Sequence, residues 1–530
     1  MINYNPSIHL IKKLSMKRIS LILLFIYATV LVSCKKDGVI ALPEDTIGKT
    51  VKPVTKLKAV ATSNEKELEI SWTNPEDESI IKAELAYKPT TTGASASPNP
   101  LMINVTSGSE SKLTIQVPAT VKYTITVVVI NKAGIKSAQT FADATPFSPA
   151  VADLAPIFLK RADTMMTSMV KLYLDGMPRD IWSASYPRAS GYWDGAAVIW
   201  GHGGAFSGYA ALKEAAEHYP AYKTKIASLY DNRLLKGIDD FRNTRNGRPE
   251  AYAVYPGDGD ERYYDDNIWV GIDMVDLYML TKSPVYLARA KIVWNFILAG
   301  TDARMGGGVY WKEDGNSKNT CSTAPAAVLA AKLYQATNET TYLNSAKSLY
   351  TWVKNTLQDP SDYLYWDNVH LSDESNPNST LVISNEKYAY NAGQPMQIAS
   401  LLYKITGEAH YLTEAQNIAK AAYKKWFIPF NSYTLGESFR ILEPGHVWFQ
   451  AIMFRGFIEL YKQDGNATYV NAYKKTLANA WLSSARNKTT HLINSDFRGG
   501  GAAQTSYDIL FQGACLEMLA RLAVLEHEGL

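Results

Sequence analysis

Two consecutive carboxylates, Asp265 and Asp266, stand in the segment Arg262-Tyr263-Tyr264-Asp265-Asp266-Asn267-Ile268-Trp269. Cleaving a glycosidic bond needs two carboxyl groups in unlike environments, one ionised and one protonated. A largely apolar stretch follows the pair, and its pattern predicts a helix that starts here. Side chains adjacent on a helix differ by about 100° around its axis, but an irregular first turn still lets both flank one bond. The positive end of the helix favours an ionised carboxylate. Burial and like-charge repulsion raise the second one and keep it protonated. The competing reading makes one of the two an ordinary N-cap. The acidic run before them, Asp258-Gly259-Asp260-Glu261, lacks the residue order of a calcium loop and reads as a solvated turn. Arg262 is a candidate to orient a carboxylate. No Cys/His spacing resembles a zinc or iron site, so neither metal nor cofactor is expected.

The elements that must position this pair repeat along residues 150–530. Four segments share a Thr or Asp five residues before a Tyr: Thr281 to Tyr286, Thr337 to Tyr342, Thr406 to Tyr411 and Asp464 to Tyr469. Tyr222 marks a degenerate fifth copy. A stretch apolar on nearly all faces precedes each Tyr, and an amphipathic one follows it. The apolar stretches cover 203–218, 266–280, 322–336, 393–405, 446–462 and 504–526. The amphipathic ones cover 153–175, 222–241, 286–299, 342–357, 411–427 and 468–484. Helices apolar all round are buried, and amphipathic ones cover them. Six inner and six outer helices predict a mainly α fold closed as an (α/α)6 toroid, with an open solenoid as the alternative. Loops leading into the inner helices then gather on one rim. They carry Trp193, Asp194, His202, Trp311, Tyr390, Asn391, His446 and Trp448, with Trp269 just beyond the carboxylates. Aromatic rings stack on sugar C–H faces and the polar groups read hydroxyls. Trp269, Trp311 and Trp448 are therefore stacking candidates, and Asp194, His202 and His446 hydroxyl contacts, each with a structural role as its alternative. Cys321 and Cys515 read as small core residues, with their pairing left open.

The segment Tyr264-Asp265-Asp266-Asn267-Ile268-Trp269, the run Gly306-Gly307-Gly308-Val309-Tyr310-Trp311, Lys318-Asn319-Thr320, and Tyr390-Asn391-Ala392-Gly393 before Tyr411-Leu412 resemble glycoside hydrolase family 76. The resemblance spans about residues 155–525. It implies an (α/α)6 barrel, endo-acting α-1,6-mannanase activity, retention of configuration and no metal. It implies Asp265 as nucleophile and Asp266 as general acid/base, with carboxyl groups about 5–5.5 Å apart. Tyr390 and Asn391 fall in a family-like element that would shape the site.

The rest of the chain sets the surroundings. Residues 19–32 form an apolar run behind Lys17-Arg18, too short to span a membrane, and Leu31-Val32-Ser33-Cys34 reads as a bacterial lipobox. Residues 1–33 are thus expected as a signal peptide, Cys34 as the lipidated residue, and 34–50 as a tether. Residues 51–147 alternate like short strands and resemble a fibronectin type III-like sandwich, with Trp72 and Tyr123 at core positions; a spacer role or a weak glycan contact is expected of it. Of the 54 basic residues, Lys12, Lys13, Lys17 and Arg18 lie in the acid-free leader, and the remaining 50 face 51 acids. A near-neutral chain excludes a nucleic-acid partner on charge and suits a neutral glycan, as do 33 Tyr and 12 Trp. The expectation is a monomer, lipid-anchored to the outer membrane of a Gram-negative bacterium and acting on α-mannan. Two alternatives stand beside it: a non-catalytic glycan-binding lipoprotein, and another (α/α)6 hydrolase of exo-mannosidase or glucuronyl type.

Overall fold

The structure is a computed structural model. It describes residues 50–62, 64, 66–90, 96–97, 99–146, 155–188, 195–257, 261–501 and 504–530. The expected signal peptide, Cys34 and most of the tether lie outside these residues. The chain divides into two compact units between Asp153 and Leu154.

The first unit is a small all-β immunoglobulin-like sandwich. Its strands are β1 (Thr55–Ala61), β2 (Glu67–Thr73), β3 (Ile80–Pro89), β4 (Leu101–Asn104), β5 (Glu110–Gln116), β6 (Tyr123–Asn131) and β7 (Thr140–Ala144). One antiparallel sheet has the order β1-β2-β5 and the other β4-β3-β6-β7. Alternation puts Leu68, Ile70 and Trp72 of β2 and Tyr123, Ile125, Val127 and Val129 of β6 into one core. Both core polar tips are satisfied: Trp72 Nε1 donates to Asn74 Oδ1 at 2.8 Å, and Tyr123 Oη accepts from the Ala119 amide at 3.1 Å.

The second unit is the toroid. Its helices are α1 (Ile157–Met169), α2 (Ile199–Ala215), α3 (Pro220–Leu229), α4 (Asp231–Asp239), α5 (Tyr264–Thr281), α6 (Pro284–Ala299), α7 (Thr320–Thr337), α8 (Thr340–Leu357), α9 (Ala389–Thr406), α10 (Ala409–Trp426), α11 (Val447–Asp464), α12 (Thr468–Leu482) and α13 (Ile509–His527). Helices α2, α5, α7, α9, α11 and α13 are buried nearly all round. Each packs on the next, and α13 packs on α2 to close the ring. The seams are tight where glycines meet. A Cβ on Gly513 would lie 2.5 Å from the Gly204 backbone, and one on Gly456 2.4 Å from the Gly393 carbonyl oxygen.

The repeated Thr-to-Tyr spacing is a helix-to-helix turn. Thr281, Thr337 and Thr406 end inner helices and donate Oγ1–H to the carbonyl four residues back, at 2.7, 2.8 and 2.8 Å. Each hydroxyl also accepts the amide two residues on, at 3.2, 3.3 and 3.2 Å. Asp464 accepts the equivalent amide, of Asn466, at 2.9 Å. The residue after each is left-handed: Lys282, Asn338, Gly407 and Gly465. Tyr286, Tyr342 and Tyr411 then bury their rings at the start of the outer helix.

Three details depart from the sequence pattern. The amphipathic stretch 222–241 is two helices, α3 and α4, broken at Tyr230 (φ −121°, ψ −37°). The last inner helix starts at Ile509 rather than 504, because Tyr507-Asp508 pairs with Ser185-Tyr186 and Asp508 caps the helix through Leu510 N–H. Strands also occupy the connections that lead into inner helices: Arg242–Arg245 with Arg248–Tyr252 before α5, Ser317–Asn319 with Asn368–Leu371 and Leu381–Ser384 around α7 and α9, and Phe427–Ser432 with Glu437–Leu442 before α11.

Candidate active site

Asp265 and Asp266 lie in the first turn of α5. The N-cap is Tyr263, with no side-chain cap bond, so neither aspartate serves as the cap. The helix start is pinned from behind. Asn267, fully buried, accepts the Tyr252 amide through Oδ1 at 2.7 Å and donates Nδ2–H to the carbonyls of Tyr252 and Tyr263 at 2.8 Å each. Arg262, also fully buried, forms a two-pronged pair with Glu313 at 2.7 and 2.6 Å and donates to the Pro249 carbonyl at 2.9 Å. Arg262 thus orients Glu313, and fixes the loop rather than either catalytic candidate.

The two carboxyls face a cavity of about 280 Å³ lined by Val198, Trp200, Val254, Tyr263, Asp265, Asp266, Trp311, Tyr390, Trp448 and Phe449. Asp265 is supplied with donors. Its Oδ1 accepts the Asp266 amide at 3.0 Å, and its Oδ2 accepts Trp311 Nε1–H at 3.2 Å and approaches Cys321 Sγ at 3.6 Å. Burial nonetheless pushes its pKa up to about 6, against those donors. Asp266 has no side-chain hydrogen bond among the described residues. Burial first, and the charge of Asp265 second, hold it well above the ordinary carboxylate range. The pair is therefore split: Asp265 ionises first, and Asp266 keeps its proton.

The aromatic wall has an order. Tyr390 stacks on Phe449 at 4.1 Å, Phe449 on His446 at 3.9 Å, and His446 on Trp200 at 5.5 Å. Trp311 stands on the other side against Tyr263 at 5.0 Å and is 40% exposed. The loop carrying Trp311 is fastened by Lys318, whose buried Nζ donates to Asp302 Oδ1 at 2.6 Å and to the carbonyls of Asp302, Arg304 and Gly307 at 3.0, 2.9 and 2.8 Å.

Of the residues expected at the site, the cavity brings together Asp265, Asp266, Trp311, Tyr390 and Trp448. Trp193 and Asp194 lie outside the described residues. His202 is fully buried against Phe241, with neither ring nitrogen hydrogen-bonded among the described residues, and burial drops its pKa to about 3. It packs neutral in the core and does not line the cavity. Trp269 is 3% exposed and packs edge-on against Trp448 at 5.1 Å, behind the cavity wall. Asn391 is buried too, donating to Asp367 Oδ1 at 3.0 Å. His446 caps α11 by accepting the Phe449 amide at 3.4 Å. Gly306-Gly307-Gly308 turns beneath Trp352 instead of facing a ligand: a Cβ on Gly308 (φ +81°) would lie 2.5 Å from the Trp352 ring. Cys321 and Cys515 are separate free thiols. The sequence pattern missed Phe449 and the contact of Cys321 with Asp265; neither type signals chemistry by itself.

An (α/α)6 toroid with a split carboxylate pair in an aromatic rim cavity defines the carbohydrate-hydrolase class. The model of glycosyl hydrolase family 76 matches residues 159–525, and the chain belongs to that family. A family 76 glycoside hydrolase from a bovine Bacteroides thetaiotaomicron strain is 38% identical, covering 90% of this chain and 100% of that one, with a TM-score of 0.66. The family 76 mannosidase Bt3792 of Bacteroides thetaiotaomicron VPI-5482 is 43% identical, covering 71% of this chain and 100% of that one, with a TM-score of 0.68. The mannan endo-1,6-alpha-mannosidase DFG5 of Candida albicans is 26% identical over 157 residues, 28% of this chain. Matches to the curated relatives span 34–51% of those proteins' lengths.

Proposed function

We propose that this protein is an endo-acting α-1,6-mannanase that cleaves with retention of configuration. The observation that carries the reading is the asymmetry of the pair: Asp265 accepts three donors and Asp266 none. The oriented, more readily ionised Asp265 attacks the anomeric carbon while Asp266 gives its proton to the leaving O6. Water, losing a proton to Asp266, then attacks the same carbon and frees Asp265. Two inversions leave the configuration unchanged. The α-1,6-mannan substrate is supported by the named activity of the Candida relative. Endo action is supported by aromatic surface beyond the carboxylates, where Tyr388 and Trp311 are 38% and 40% exposed. No charged cluster among the cavity's lining residues, apart from the two aspartates, would select an acidic sugar.

Debranched α-1,6-mannan tests the reading. The wild type yields a ladder of short oligosaccharides whose first-formed reducing ends are α by NMR. Asp265→Asn and Asp266→Asn each remove product formation. Near-normal turnover in both variants overturns the assignment; mannose as sole early product overturns endo action. The same reading places the enzyme, as a monomer, on a lipid at Cys34, with the fibronectin type III-like sandwich as spacer. Cys34→Ala is then expected to release the protein from membranes into the soluble fraction, and retention in the membrane fraction would remove the anchor.

A further inference from the structure

The inner helices α5 and α7 start side by side on the rim, and each contributes one side chain to a close contact. Asp265 stands in the first turn of α5 and Cys321 in that of α7. Cys321 Sγ lies 3.6 Å from Asp265 Oδ2. That distance is a sulfur–oxygen hydrogen bond. Cys321 is 3% exposed, and burial, then the charge of Asp265, raises its thiol pKa well above the ordinary value. It therefore keeps its proton across the working range and has that proton to donate. A thiolate beside an ionised carboxylate would repel it; a thiol orients it.

We propose that Cys321 is a positioning residue for Asp265, donating a weak S–H hydrogen bond to the attacking carboxylate. The inference rests on the reading of Asp265 as nucleophile only for its catalytic consequence. The choice of sulfur has a chemical reason. A strong donor on Oδ2 would stabilise the carboxylate and make it a poorer nucleophile. Trp311 Nε1 already supplies one donor at 3.2 Å. A thiol, the weaker donor, holds the oxygen in place while leaving it basic.

The sign of each substitution follows. Cys321→Ala removes a donor to the ionised form, so the Asp265 pKa rises; Cys321→Ser supplies a stronger donor, so it falls. The acid limb of kcat/KM against pH should move up by about half a pH unit in the alanine variant and down by a similar amount in the serine variant. A purely structural thiol would lower activity in both without moving the limbs in opposite directions. A second measurement needs no turnover. The S–H infrared stretch of Cys321, isolated by subtracting the spectrum of Cys321→Ala, should shift to lower frequency as pH rises through the ionisation of Asp265, and should lose that pH dependence in Asp265→Asn. A Cys321 band that does not move with pH overturns the proposal, even for a protein that proves inactive on α-1,6-mannan. Acid limbs unchanged in both variants, with thermal midpoints intact, overturn it as well. Failure to cleave mannan with a pH-sensitive band would instead count against the substrate reading alone.

Discussion

Asp265 and Asp266 are adjacent in sequence and alike in type, yet their surroundings separate them. The separation predicts a bell-shaped pH profile. Burial puts the Asp265 pKa at about 6, so kcat/KM should fall below that pH as Asp265, the proposed nucleophile, takes up a proton. The alkaline limb belongs to Asp266, whose proton is held by burial and by the charge of Asp265. Neutralising Asp265 removes that charge, so in Asp265→Asn the Asp266 pKa should drop, a shift that carbon-13 NMR of labelled aspartate reads directly. A rise in its place would refute the coupling. Trp311→Phe keeps a ring on the rim but removes the indole N–H on Asp265 Oδ2. A hydrogen bond to a charged group contributes about 1.5–3 kcal/mol, so the Asp265 pKa should rise and the acid limb of kcat/KM shift to alkaline pH by about 1–2 units. Unchanged kinetics would leave Trp311 with stacking alone. The pair itself was legible because aromatic flanks and a helix start coincide there. His202, Trp269 and Asn391 carry the same residue types as a sugar site and sit next to rim residues. One helical position decides whether such a side chain turns to the cavity or the core, and rim loops have no periodicity to reveal it. The role of Cys321 was illegible for another reason: its partner lies 56 residues away.

At the scale of elements, the Thr-to-Tyr spacing was readable because every part of it has a local cause. The hydroxyl or carboxylate caps the turn, the next residue takes the left-handed conformation, and the Tyr buries itself against the neighbouring hairpin. Thr337→Val keeps the shape and removes both hydrogen bonds of the hydroxyl. It should lower unfolding stability by about 1 kcal/mol, as losing a cap does, with kcat unchanged; chemical denaturation measures this, and an unaltered midpoint would mean that the turn holds without its cap. The loops behave differently. The strands before α5, α7, α9 and α11 are short, at most six residues, and too brief to set up a readable alternation. Lys318 is invisible as a fastener in sequence, because its acceptors are mostly backbone carbonyls. Lys318→Met leaves those oxygens and Asp302 without their common donor. The loop from Asp302 to Trp311 should loosen, and KM should rise more than kcat falls, as expected if Trp311 serves as proposed to stack on substrate in ground and transition states alike. A change in kcat alone would show that the loop serves the chemical step only.

At the scale of the whole molecule, six hairpins must close on themselves, and the closure carries charge through the middle. Arg455 on α11 pairs with Glu517 on α13 at 2.6 and 3.0 Å and reaches Asp273 on α5 at 3.4 Å, while Ser207 on α2 donates to Asp273. Arg521 adds a second cation on Glu517 at 2.7 Å. These side chains join four of the six inner helices, including the seam between α11 and α13. Arg455, Glu517 and Asp273 are each at most 2% exposed. Burial pushes the Asp273 pKa up to about 6, whereas for Glu517 burial is outweighed by Arg455 and Arg521, which hold it below the ordinary value. Six inner and six outer helical stretches were legible from periodicity, one outer stretch being two helices, but this network was not: Asp273 and Arg455 are 182 residues apart, and nothing local marks either charge as the other's partner. Its energetic role follows from what removing one partner leaves behind. In Glu517→Gln the buried guanidinium of Arg455 and the half-buried one of Arg521 keep their charge and lose their shared counter-ion, which should cost about 3–5 kcal/mol. Replacing Arg455 by Met instead leaves Glu517 with Arg521, so the loss should be smaller. Both substitutions lie away from the carboxylate cavity, so activity per folded molecule should stay near wild type while the calorimetric midpoint falls, further for Glu517→Gln than for Arg455→Met. The reverse order would mean that Arg455 closes the ring through its packing rather than its charge.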